Sequence, residues 1–235
     1  MRYVVLAMLV LGLAACGGKK SSPPPPAANA SPAASAVTNA ANATVAKGGE
    51  HVVVTGTISL NGSKLTLNGS GDFKGDPALG ELLLTIKGAV SGSMDEITSG
   101  STAYLKSPLL AAALPAGKTW ASVSLTKATK AFGINLNSFT NATPTATLGF
   151  LSSAKNVKKI GDGHYRATID LSKVAGASAK AIPVDVWVNS DGLIEKVVTA
   201  YTGTKITTTF SKYGESVNVK VPSASETVDI AKLGG

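Results

Sequence analysis

The sequence predicts an α+β fold, a curved antiparallel sheet with a few helices packed into its concave side. Three observations point there. Beyond residue 49, apolar and polar residues alternate with period two. The alternating runs are joined by short turn sequences instead of crossover helices. A stretch in the middle carries apolar residues at helical spacing.

The first run, 51–60, places Val52, Val54, Ile58 and Leu60 on one face and Val53, Thr55, Thr57 and Ser59 on the other. Asn61-Gly62 suits a hairpin turn at positive φ, and alternation resumes over 64–73. Further strands are expected at 80–87, 88–97, 102–106 and 119–125. In the second half, 156–160 and 164–171 flank Gly161-Asp162-Gly163, 182–188 and 193–201 flank Asn189-Ser190-Asp191-Gly192, and 205–213 follows Thr202-Gly203. These are turn-linked neighbours of an antiparallel meander, covered on one face.

The middle supplies the cover. Leu125, Ala128, Phe132, Leu136 and Phe139 recur at helical spacing, though Gly133, Asn135 and Asn137 suggest two short helices or a kink. Thr143-Pro144 reads as an N-cap with proline at the first helical position, opening a helix through Leu148 and Leu151. Residues 108–114 add a further turn.

Composition narrows the function classes. With 44% hydrophobic and only 15% charged residues, the chain is neither an acidic disordered polymer nor a coiled coil. Its single cysteine, Cys16, excludes a disulfide framework and multi-thiolate metal sites. Two histidines leave no histidine-rich metal site, and no cofactor is expected. The net charge of +8 comes almost entirely from lysine, with arginine only at positions 2 and 166. Nucleic-acid readers favour arginine forks and stacking aromatics, so nucleic acid is not the expected partner.

The N-terminus is the most specific feature. Met1-Arg2 is a short positive start, and 3–13 is an apolar run of signal-peptide length, too short to span a bilayer. It ends in Leu13-Ala14-Ala15-Cys16, which resembles the lipobox of bacterial lipoproteins. The resemblance implies that 1–15 is a signal peptide and that Cys16 is lipidated and becomes the mature N-terminus. Two or three acyl chains anchor stably where one is marginal. Residues 16–48, with Pro23 to Pro26 and an Ala-, Asn- and Ser-rich remainder, read as a tether, with a short helix conceivable at its end over 40–46. The folded domain is then 49–235, outside the cytoplasmic membrane and monomeric.

A family resemblance rests on the order of short segments. These are Ala103-Tyr104-Leu105-Lys106-Ser107-Pro108, Gly117-Lys118-Thr119-Trp120, 124–136, 143–151, 164–171, Val184-Asp185-Val186-Trp187-Val188, Asp191-Gly192-Leu193-Ile194 and Tyr213-Gly214-Glu215. In this order the chain resembles the actinobacterial LppX/LprAFG lipoproteins, which share a fold with the LolA and LolB lipoprotein carriers. The resemblance implies a half-barrel whose sheet and helices enclose a hydrophobic cavity. It also implies a non-enzymatic role, carrying a lipid or glycolipid within the envelope. Acyl chains need only a dry, concave, apolar lining, for which Phe132, Leu136, Phe139, Leu148 and Leu151 are the candidates; an ordinary filled core uses the same residues.

Charge is uneven. No acidic residue occurs over 97–161, where Lys106, Lys118, Lys127, Lys130, Lys155, Lys158 and Lys159 lie. Lys127, Lys130, Lys155, Lys158 and Lys159 are candidates for contact with anionic lipid headgroups; a solvated lysine face is the plain alternative. Catalytic patterns are weak. Ser124-x-x-Lys127 and Ser152-x-x-Lys155 lack the partner motifs of serine acyl-transfer enzymes. His51 and His164 begin strands without a spaced second ligand. An envelope interaction module using the outer sheet face, and a lipoprotein chaperone, remain the alternatives to a lipid carrier.

Overall fold

The computed structural model describes residues 31–60, 62–75, 78–89, 91–124, 148, 151, 154–170 and 181–232. Among the described residues, twelve strands form one open sheet. The first meander comprises β1 (Glu50–Leu60), β2 (Ser63–Lys74), β3 (Leu79–Gly88), β4 (Gly92–Ser99), β5 (Thr102–Lys106) and β6 (Trp120–Ser124). The second comprises β7 (Lys155–Gly161), β8 (His164–Asp170), β9 (Ala181–Val188), β10 (Ile194–Tyr201) and β11 (Thr204–Ser211). β12 (Thr227–Asp229) closes the order β12-β6-β5-β4-β3-β2-β1-β11-β10-β9-β8-β7. The two meanders join where β1 pairs antiparallel with β11, Val52 opposite Phe210.

Turn chemistry sets the hairpins. Gly62 has φ +80° between β1 and β2, as the positive-φ turn requires. Between β9 and β10, the Asn189 side-chain oxygen accepts from the backbone N–H of Asp191 at 3.0 Å and of Leu193 at 2.9 Å.

β12 is the one strand the periodicity does not announce. It pairs parallel to β6, and its approach is strapped by Lys118, whose Nζ donates to the carbonyls of Ala224 and Ser225 at 3.2 and 2.8 Å.

Burial assigns the faces. Register and alternation put Val52, Leu65, Leu67, Phe73, Leu82, Leu84, Ile86, Met94, Leu105, Ala121, Val184, Val186, Val197 and Phe210 on one face, all buried. Residues such as Leu83, 56% exposed, lie on the other. Two inner-face glycines on β2 lie where a side chain would not fit. A β-carbon on Gly69 would lie 2.8 Å from the Leu83 carbonyl oxygen, and one on Gly71 would fall onto that of Glu81. Such close backbone approach is what glycine permits in a coiled sheet.

The helices differ from expectation. Residues 32–46, placed by the sequence within the tether, form α1 (Pro32–Ala46). Ser31 caps it, its Oγ accepting from the Ala34 N–H at 3.2 Å, with Pro32 in the first turn. Val37, Ala40, Ala41 and Thr44 are buried at i, i+3, i+4 and i+7, packed toward β7, β9 and β10. Thr44 Oγ1 donates to the Ala40 carbonyl and accepts from the Ile194 N–H, both at 2.8 Å. This helix is therefore continuous with the folded domain. α2 is the short turn Pro108–Ala111 expected from the sequence. The helices expected over 125–147 lie outside the described residues, apart from Leu148 and Leu151, which are helical and buried. A set of several helices in the concave face is thus not established among the described residues.

Candidate apolar site on the inner sheet face

The inner face is organised in transverse rows set by strand register. One row runs Phe210, Val52, Gly71, Leu82, Glu96, Leu105, Ala121, Val228 across β11, β1, β2, β3, β4, β5, β6 and β12. The next row toward one end holds Val54, Gly69, Leu84 and Met94. Two apolar clusters meet along the sheet: one centres on Leu65, Leu67, Leu84, Ile86, Met94 and Leu105. The other joins Val37 and Ala41 of α1 with Val52, Leu82, Val184, Val186 and Phe210.

Leu148 and Leu151, expected to line a cavity, are 0% and 1% exposed and belong to this second cluster. Phe132, Leu136 and Phe139 lie outside the described residues, as do Lys127, Lys130 and Cys16.

One residue breaks the apolar row. Glu96 is 2% exposed, and among the described residues its Oε2 has no hydrogen-bonding partner. Burial pushes its pKa up to about 8, because the charged form cannot be solvated there. The sequence reading passed over it, yet strand alternation places Glu96 with Met94 and Thr98 on one face and Asp95 on the other. That pattern could have found it.

Buried Ser107 and half-buried Tyr213 are engaged. Ser107 Oγ donates to the Ser93 carbonyl at 2.8 Å. The Tyr213 hydroxyl lies 2.6 Å from the Ile194 carbonyl oxygen, and burial, followed by Glu195 and Glu50, pushes its pKa up to about 12.

The lysines sit elsewhere. Lys155, Lys158 and Lys159 are on β7, an edge strand whose residues are mostly exposed. Lys155 pairs with Asp170 at 2.7 Å and Lys159 with Asp162 at 3.6 Å, so part of the basic segment's charge is neutralised by acids just beyond it.

On the outer face, His164 stacks on Trp187 with centroids 4.2 Å apart, and Lys196 Nζ lies 3.8 Å from the same ring. Asp185 accepts from Arg166 Nε at 3.0 Å and sits 3.0 Å from His164 Nε2. These residues line an open groove of about 590 Å³. His51 pairs with Asp72 at 2.6 Å, also on the outer face. Each histidine thus faces a single carboxylate, and no three metal-ligating side chains converge among the described residues.

Comparison with solved structures places the fold. LprF from Mycobacterium bovis superimposes with a TM-score of 0.53 at 16% identity, covering 82% of this chain and 97% of that one. The lipoprotein LppX of Mycobacterium tuberculosis gives 0.51 at 19% identity, covering 80% and 98%. The chain shares its fold with these two members of the LppX/LprAFG family. No family model and no curated protein matches it. Among the described residues, no helix is long and apolar enough to cross a membrane.

Proposed function

We propose that the chain is a membrane-anchored extracytoplasmic lipoprotein, without enzymatic activity, that holds the acyl chains of a lipid or glycolipid against its inner sheet face and carries that lipid within the cell envelope. What supports this reading is the apolar inner face of one open sheet, on which inward glycines leave side-chain-free positions in the rows. Phe132, Leu136 and Phe139 are proposed to complete the lining with Leu148 and Leu151. Cys16 is the proposed anchor, residues 16–30 are the proposed tether, and α1 begins the folded part. The basic segment, with Lys127, Lys130, Lys155, Lys158 and Lys159, is the proposed membrane-facing region, each lysine near an anionic surface contributing about 1 kcal/mol.

The test is transfer of a fluorescent phospholipid between donor and acceptor vesicles by the full chain carrying Cys16→Ser. Catalysed transfer that falls when Leu148 and Leu151 are replaced by Asn is the expected result; transfer no faster than without protein contradicts a carrier. A second reading has one observation in its favour. The outer-face groove around Trp187, Arg166 and Lys196 gives an interaction module a surface, and unaltered apo protein with retained binding to an envelope fraction would favour it.

A further inference from the structure

A carboxylic acid in the middle of an apolar row is costly unless something satisfies it. Glu96 is flanked in register by Leu82 on β3 and Leu105 on β5, and along its own strand's inner face by Met94 and Thr98. It lies where the two apolar clusters meet, since Leu82 belongs to one and Leu105 to the other. No cation is among these neighbours, and among the described residues Oε2 is left without a partner. A buried polar atom without a hydrogen bond costs about 1–3 kcal/mol, and a leucine or methionine at this place would remove that cost. A group that a bound molecule brings to it would remove the cost as well.

We propose that Glu96 is the polar anchor of the inner-face site, presenting its carboxyl group to a hydroxyl or ester carbonyl of an uncharged lipid whose acyl chains lie along the apolar rows to either side. This inference rests on the lipid-carrier reading and adds the ligand's chemical class. A protonated carboxyl group can donate to an ester carbonyl and accept from a hydroxyl. It has no charge to pair with a phosphate or an amine. An uncharged glycerolipid with a free hydroxyl matches on both counts.

The experiment uses the full chain carrying Cys16→Ser, with two probes, 1,2-dioleoylglycerol and hexadecane. The first has ester and hydroxyl groups; the second is hydrocarbon only. Binding is measured by equilibrium partition for the Glu96 protein and for Glu96→Leu and Glu96→Gln, with far-ultraviolet circular dichroism melts to establish that each is folded. Loss of one hydrogen-bonded anchor is expected to weaken dioleoylglycerol binding about tenfold in Glu96→Leu, with hexadecane binding unchanged. Glu96→Gln keeps a donor and an acceptor and is expected to stay within about threefold. Should Glu96→Leu fail to fold, Glu96→Met takes its place with the same expectation. Unchanged dioleoylglycerol affinity in the folded Leu or Met variant, with hexadecane still bound, overturns the anchor and leaves the apolar site standing. Failure of the Glu96 protein to hold either probe overturns both the anchor and the carrier reading.

Discussion

At the scale of single residues, Glu96 and Thr44 show what a buried polar group requires. Thr44 is satisfied twice, by Ala40 within its helix and by Ile194 on β10, whereas one oxygen of Glu96 has no partner among the described residues. Replacing Thr44 with Val keeps the shape and strands the Ile194 N–H; a loss of about 1–3 kcal/mol is expected in denaturant unfolding. For Glu96 the pKa rises on folding from 4.5 to about 8, with burial as its cause. The folded state holds this proton more tightly than the unfolded chain. Its favourable contribution is therefore complete below about 4.5 and is lost as pH rises through about 8. Melting temperature is expected to fall between pH 5 and 9, and Glu96→Gln to flatten that slope by removing on the order of a few kcal/mol of pH-dependent stability. Equal slopes in the two proteins would show that another group titrates.

At the scale of elements, the strands were legible and the first helix was not, for a physical reason. Alternation over 51–60 or 182–188 reports a sheet with one buried face, because each inward position is apolar whichever partner it meets. Helix α1 buries mainly small side chains, Ala40 and Ala41 beside Val37 and Thr44. Small residues interspersed with Asn and Thr look like a tether until the sheet supplies a surface for them to pack on. Leu148 and Leu151 were legible as an apolar helical pair, and both are helical and buried; their part in a lipid lining belongs to the proposal. Glu96 was legible only through alternation, which sets it on the face of Met94 and opposite Asp95; as part of an acidic dipeptide it otherwise reads as solvent-facing.

Edge strand β7 bears on the basic segment too. Lysines on an exposed edge hinder pairing with another sheet, a role that Lys155, Lys158 and Lys159 fill by position alone. The two roles separate by charge. Replacing all three with Glu keeps an edge guard and reverses the attraction to anionic lipid, so weaker liposome binding at low salt with unchanged monomer content is expected. Replacing them with Thr removes the guard, and light scattering is expected to show self-association. Liposome binding unchanged by the Glu replacements would remove the headgroup role.

At the scale of the whole molecule, two meanders meet at β1 and β11 to make a single open sheet with one apolar face. Inward glycines on β2 bring neighbouring backbone close, α1 packs against β7, β9 and β10, and the C-terminal segment straps the opposite edge through β12. An open sheet with an apolar concave side must be filled by its own chain or by a ligand, and the carrier reading depends on which. Native mass spectrometry of the full chain carrying Cys16→Ser, purified from a lipid-containing host and followed by organic extraction, decides this most directly. A mass excess of one lipid per protein, released on extraction and uncharged in its polar part, is the expected result. A protein mass without adduct, unchanged after incubation with diacylglycerol, phospholipid and glycolipid, would contradict it.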